Sequence, residues 1–242
     1  MSKPGRLRVG LIGDAPELPV IALALSGADH QVWAISWQTD AERIETMLPG
    51  VHQKSNQEIV NESDLVVLVP KTASELPELV DALDWRQGQI VMHTKLDAGI
   101  SALAGASNRG AIPLAVCPVI AFTGTSLDLS RLRDGYGAIT APPGALPIAQ
   151  ALAIELGLEP FVIDEENRAQ FADAVFAVTD FSRAIIDQSS FRLAQIGVQQ
   201  PGLVLSQLAQ TAVADAIRQT ADGANDPLAG WERFGSEVAK DD

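Results

Sequence analysis

A single cysteine, Cys117, occurs in 242 residues, so no intramolecular disulfide can form. An unpaired thiol suits a reducing compartment, and the cytoplasm is the expected location. No stretch approaches the ~20 apolar residues that cross a bilayer, so no membrane association is expected. Met1 to Arg8 is short and basic and lacks the apolar region and cleavage site of a secretory signal. Positive charge is scarce as well: 17 Lys and Arg stand against 31 Asp and Glu, a net charge of −14. Such a surface repels phosphate backbones and argues against nucleic acid as a general partner. Metal ligands are thin. There are three histidines, no His-x-x-x-His, no cysteine pair and no carboxylate cluster of calcium-loop form, so no metal is expected. A Walker loop and a Gly-x-Ser-x-Gly elbow are also missing.

What is present is a globular composition, 47% hydrophobic and 20% charged. Arg6 to Gly13 reads as a buried strand ending in glycine, and Pro19 to Ser26 as an apolar helix stopped by Gly27. Strands follow at Gln31–Ser36, Asp64–Pro70, Gln89–Thr94, Ile112–Cys117, Gly137–Thr140 and Pro160–Ile163. Helices lie between them at Thr39–Leu48, Ala73–Leu83, Ala98–Arg109 and Leu146–Leu156. The run Leu65-Val66-Val67-Leu68 suggests burial on both faces, as in a parallel sheet. This alternation predicts an α/β fold with a Rossmann-like, mostly parallel sheet; mixed α+β pairing is the other reading.

After Asp164 the pattern turns helical. Phe171, Val175, Val178, Phe181 and Ile185 recur at helical spacing, a second helix is expected over Ser189–Ile196, and a third from Pro201 to about Thr220. Residues 222–242 read as loop and a short frayed helix. The expected domains are a Rossmann-like unit over 1–164 and a smaller all-α unit over 165–242.

In a working dinucleotide site, three glycines join the first strand to the first helix. They make the tight turn, admit the pyrophosphate and let helix pack on strand. Here the loop is Gly13-Asp14-Ala15-Pro16-Glu17-Leu18-Pro19. Gly13 keeps the first position, while Ala15 and Leu18 replace the second and third. The Ala15 methyl is expected across the pyrophosphate path. Pro16 and Pro19 remove backbone donors, and Asp14 and Glu17 add negative charge. Ser36-Trp37-Gln38-Thr39, after the second strand, carries neither the acid of a ribose site nor the arginine of a 2′-phosphate site. Trp37 is either an adenine-stacking residue or a packing tryptophan.

Three segments carry a family resemblance: Asp64–Pro70, Val91-Met92-His93-Thr94, and Cys117-Pro118-Val119-Ile120-Ala121-Phe122-Thr123-Gly124. The chain resembles, over roughly Arg8 to Thr220, the Rossmann-like, DUF2520-type proteins. These are relatives of the 6-phosphogluconate dehydrogenase, ketopantoate reductase and F420-dependent NADP oxidoreductase group. The resemblance implies a nicotinamide-binding N-domain, an all-helical C-domain that builds a homodimer, and a small-molecule substrate between the domains. It places the Pro70-Lys71-Thr72 loop beside the nicotinamide ribose. Departures coincide with the chemistry. Cys117 replaces a histidine, Lys95 and Leu96 replace a Ser-Gly pair, and Thr179 replaces a cleft-facing asparagine.

Candidate residues follow from position. His93 and Thr94 end the fourth of these strands, where open α/β sheets bind ligands. His93 is a candidate acid/base group, or a histidine satisfied by neighbouring backbone. Lys95 is a candidate anion-binding group or proton donor, or a solvated lysine. Cys117 is a cleft thiol or an inert buried one. Phe122 and Thr123 either line the cleft or order a turn. Gly13, Asp14, Ala15, Trp37, Pro70, Lys71 and Thr94 are the candidate contacts for NAD(P), and Cys117, Phe122, Thr123 and Thr179 those for substrate. Two functions fit: a divergent NAD(P)-dependent oxidoreductase acting on a small keto or hydroxy acid, with His93 or Lys95 handling the proton, or a non-catalytic ligand-binding or scaffold dimer that has lost the dinucleotide.

Overall fold

A computed structural model describes residues 6–37 and 41–221. One sheet of eight strands runs in the order β3-β2-β1-β4-β5-β6-β7-β8. Its strands are β1 (Arg8–Gly13), β2 (Gln31–Ser36), β3 (His52–Gln53), β4 (Leu65–Val69), β5 (Ile90–His93), β6 (Ile112–Pro118), β7 (Tyr136–Thr140) and β8 (Glu159–Val162). All neighbours pair in parallel except β6 and β7, which are antiparallel. The expected mostly parallel α/β sheet is therefore the observed one, and the order β3-β2-β1-β4-β5-β6 is that of a doubly wound dinucleotide fold.

β4 is buried at all five positions because it lies mid-sheet with both faces covered. Side chains alternate across it. Leu65, Val67 and Val69 enter one core with Leu11 and Met92, and Val66 and Leu68 enter the other with Ile12 and Val91. The helices are α1 (Leu18–Gly27), α2 (Ala41–Met47), α3 (Asn56–Glu62), α4 (Leu76–Asp81), α5 (Ala104–Ser107), α6 (Asp128–Arg133), α7 (Leu146–Glu155), α8 (Arg168–Gln195) and α9 (Pro201–Ala221). Short 3-10 turns precede α4, α5 and α8.

Several local expectations need correction. α1 runs through Gly27, and the left-handed residue behind it is Asp29, with φ of 70°. Residues 49–63 hold two unexpected elements, β3 and α3. The start of α3 is a capping box in which Ser55 and Glu58 satisfy each other's backbone N–H groups. α6 was also unforeseen. The two helices expected between Phe171 and Ile196 are one continuous 28-residue helix, α8. The expected tail beyond residue 221 lies outside the described residues.

The chain divides into two compact units, one through Phe176 and one from Ala177. Within the first, the opening turn of α8 is rooted by Arg168 and Ala172, each 2% exposed. Within the second, large apolar side chains of α8 and α9 lie open, among them Phe191, Leu203, Leu208 and Ile217. Among the described residues, no helix is long and apolar enough to cross a membrane.

Candidate ligand site

The carboxyl ends of β1, β4, β5 and β6 form one edge of the first unit. Gly13 closes β1 with φ of 149°, and a Cβ there would sit 2.0 Å from the Val69 carbonyl oxygen. Only glycine allows that approach of β1 to β4. Two residues on, the Ala15 N–H donates to the same Val69 oxygen at 3.1 Å. Leu18 N–H in turn donates to the Ala15 carbonyl at 3.1 Å. Ala15 is 1% exposed and Leu18 fully buried, both in the core. The expected obstruction by the Ala15 methyl is thus corrected: the methyl packs into the core, and the loop is drawn down onto the sheet.

Glu17 immediately precedes α1 and makes no side-chain cap to it. Its carboxylate instead meets the Lys95 ammonium at 2.6 Å, with side-chain exposures of 10% and 12%. Lys95 is therefore not a solvated lysine but half of a largely buried ion pair.

Two cavities flank this loop. The first, about 320 Å³, is lined by Gly13, Asp14, Ser36, Pro70, Glu75 and Glu78 among others. Its described lining carries acids and no lysine or arginine. The second, about 440 Å³, gathers Ala15, Glu17, Lys71, Thr94, Lys95 and Asp97 against Pro118, Ile120, Phe122 and Phe176. Of the expected contacts, Gly13, Asp14 and Pro70 meet in one cavity, and Ala15, Lys71, Thr94, Lys95 and Phe122 in the other.

His93 is fully buried. Lys95 N–H donates to its Nδ1 at 3.2 Å, and its Nε2 lies 3.0 Å from the Gly99 carbonyl oxygen. A carbonyl only accepts, so Nε2 carries the proton and Nδ1 is the acceptor. Burial pushes the imidazole down to about 4, and the charges of Arg168 and Lys95 act in the same direction. The ring is neutral and has no open nitrogen for a substrate, which is the backbone-satisfied state of the two readings. Cys117 is also fully buried, and its Sγ donates to the Lys95 carbonyl oxygen at 3.0 Å. Burial raises the thiol to about 11, so it is held protonated.

Thr94 differs from both. It is 5% exposed and lines the larger cavity, and its buried Oγ1 has no hydrogen-bond partner among the described residues. Below it, Glu165 accepts from Ile100 N–H at 2.7 Å and Ser101 N–H at 2.9 Å. This clamps the loop after β5 to the root of α8. A Cβ on Gly99 would collide with that carboxylate. Arg168 binds Thr140 Oγ1 at 2.7 Å and the Ala138 carbonyl at 3.1 Å.

Phe122 faces the larger cavity, but Thr123 does not. The Thr123 hydroxyl and N–H and the Gly124 N–H all donate to Asp128, at 2.7–2.8 Å. Burial alone would raise the Asp128 carboxyl; the bonds from Thr123, Gly124 and Arg131 outweigh it and hold the group below its usual range. The Phe-Thr-Gly segment is thus a turn wound around one buried acid. Trp37 packs in the core at 7% exposure and lines neither of these two cavities. Thr179 is exposed on α8 in the second unit.

Glu17, Asp128, Glu165 and Arg168 are the residues that sequence reasoning missed. Glu17 was visible only as an unwelcome charge, because its partner lies 78 residues away. Among the described residues, no three His, Cys, Asp or Glu come together as metal ligands.

Residues 1–118 match the Rossmann-like domain, and residues 136–228 match a domain of unknown function, DUF2520. The chain thus carries a Rossmann-like domain followed by a DUF2520 domain. Among curated proteins, none matches it. Solved structures similar to this Rossmann-like chain include a candidate NADP oxidoreductase from Bacteroides fragilis (16% identity, TM-score 0.73, 96% of this chain and 88% of that one). An imine reductase from a Pseudomonas species (15%, 0.69, 90% and 77%) and a 1-pyrroline-5-carboxylate reductase from Streptococcus pyogenes (19%, 0.66, 97% and 93%) share the fold too.

Doubly wound folds of this strand order seat a dinucleotide diphosphate at the start of the first helix. The Ala15 N–H is spent on Val69 and the Leu18 N–H on Ala15. A buried carboxylate stands at the start of α1, and the adjoining cavity is lined with acids. These features do not fit a diphosphate seated at the helix start, which needs free N–H groups and an unopposed positive end.

Proposed function

We propose that this Rossmann-like, DUF2520-type protein binds a small keto or hydroxy acid in the larger cavity, without a dinucleotide across the β1 loop. The observation that carries this reading is the Thr94 hydroxyl, buried at the cavity wall with no partner among the described residues. A buried polar group left unpaired is costly, and a ligand carbonyl or hydroxyl would satisfy it. Lys71 on the same wall is a match for a carboxylate, while Pro118, Ile120 and Phe122 offer an apolar surface to a short carbon chain. His93 and Cys117 serve this site by holding the Lys95 backbone, not by moving protons.

A second reading has one observation in its favour. The two cavities flank the loop at the carboxyl edge, where the halves of a dinucleotide lie in this fold. On that reading the protein is an NAD(P)-dependent oxidoreductase for the same acids. Calorimetry separates the two. A panel of 2-keto and 2-hydroxy acids is titrated beside NADH, NADPH, NAD and NADP. Heat from an acid and none from millimolar dinucleotide is the expected result; micromolar dinucleotide binding overturns it.

The exposed apolar residues of α8 and α9 support a homodimer formed through these helices. Sedimentation equilibrium should return twice the chain mass, and a monomer with Leu208→Glu.

A further inference from the structure

We propose that Glu17 is an internal stand-in for a phosphate: its carboxylate, rather than the missing glycines, keeps a dinucleotide out. The inference rests on the cofactor-free reading above and gives it a specific cause. Ala15 and Leu18 stand where the second and third glycines would be, yet Leu18 is fully buried in the core and Ala15, on the wall of the larger cavity, is only 1% exposed. Bulk at those positions is therefore not the barrier. The charged residue of this loop on the larger cavity is Glu17, which puts a negative charge just ahead of the ten-residue helix α1, where the helix dipole favours an anion.

Lys95 completes the arrangement. Its backbone is fixed on both sides, with N–H on His93 Nδ1 at 3.2 Å and C=O on Cys117 Sγ at 3.0 Å. Its ammonium reaches across to Glu17 at 2.6 Å. The Lys95 cation beside the start of α1 is thus neutralised from within the chain. Removing the carboxylate would leave a positioned ammonium next to a helix start, which is an anion site.

The test uses the full chain and four proteins: wild type, Glu17→Gln, Glu17→Ser and Lys95→Gln. Serine is included because it is a favoured residue before a helix. Circular dichroism checks the fold, and binding is read by NADPH fluorescence and by calorimetry with NADPH and inorganic pyrophosphate. The expected result is no binding to wild type at millimolar ligand and at least about tenfold tighter binding to both Glu17 variants, the scale of one removed like-charge contact. Lys95→Gln breaks the pair but keeps the carboxylate, and it should gain nothing. If wild type and both Glu17 variants are all silent, this proposal falls while the cofactor-free reading stands. If wild type binds NADPH at micromolar concentration, both fall. A gain in Lys95→Gln equal to that in Glu17→Gln assigns the effect to the pair instead of the carboxylate and overturns the proposal. Unfolding of both Glu17 variants assigns Glu17 to the fold and overturns it equally.

Discussion

The Cys117 thiol donates to the carbonyl oxygen of Lys95 at 3.0 Å. With the His93 bond to the Lys95 N–H, it pins one peptide segment from two strands, β5 and β6. Two residues that look reactive in sequence are thus spent on geometry.

Cys117 is expected to be inert. A fully buried thiol held near 11 is protonated at neutral pH. Ellman's reagent at pH 8 should leave the native protein unlabelled and label it fully in denaturant. Rapid native labelling would show that the thiol is accessible. Cys117→Ser, which keeps a donor, should melt closer to wild type than Cys117→Ala.

His93 sets an acid limit on stability. Its folded value of about 4 lies below the ordinary imidazole value of 6.5, so the unfolded chain takes up the proton first as pH falls. The stability it contributes is complete above pH 6.5 and is lost as pH drops toward 4, by about 3 kcal/mol in all. Melting temperature followed over that window should fall steadily. The slope should flatten in His93→Asn, whose amide does not titrate; an unchanged slope would assign the acid sensitivity elsewhere.

Thr94→Val separates binding from folding. Deleting a buried hydroxyl that has no partner should raise stability by about 1 kcal/mol. The same change should weaken the keto or hydroxy acid about tenfold, by removing one hydrogen bond. Urea denaturation and calorimetry read the two effects independently. A loss of stability would mean that the hydroxyl is already satisfied.

Asp128→Ala should cost about 1–3 kcal/mol, because it leaves the buried Gly124 N–H without its acceptor and releases the exposed Thr123 donors to water. Native Asp128 contributes its stability above the ordinary carboxylate range and loses it as pH falls below, since its pKa is lowered. Hydrogen exchange at Thr123 and Gly124 should rise sharply in the variant.

Much of the sheet was legible because the physics is local. Leu65 to Val69 is apolar at every position because both of its faces are covered, and regular alternation of strand and helix leaves few topologies. β3 escaped notice because two exposed residues carry no periodicity. α3 did carry a signal, in Ser55 and Glu58, beside only two buried residues, Ile59 and Val60.

The site was legible only as a list of residues. His93, Thr94 and Lys95 are adjacent in sequence, yet one is sealed, one is an unpaired hydroxyl and one is half of an ion pair. Those differences arise from Gly99, Glu17 and Cys117, partners fixed by tertiary packing and silent in local pattern.

Leu18 gives the first loop a direction in evolution. Restoring the lost glycine there would empty a fully buried leucine from the core. Truncation to alanine alone typically costs about 3–5 kcal/mol, against a total stability on the order of 5–15 kcal/mol. The way back to a three-glycine loop therefore passes through a destabilised intermediate, whereas Glu17 lies outside the hydrophobic core. Substitutions at this loop work as a ratchet: once a core leucine fills the glycine position, exchanging it back empties the core.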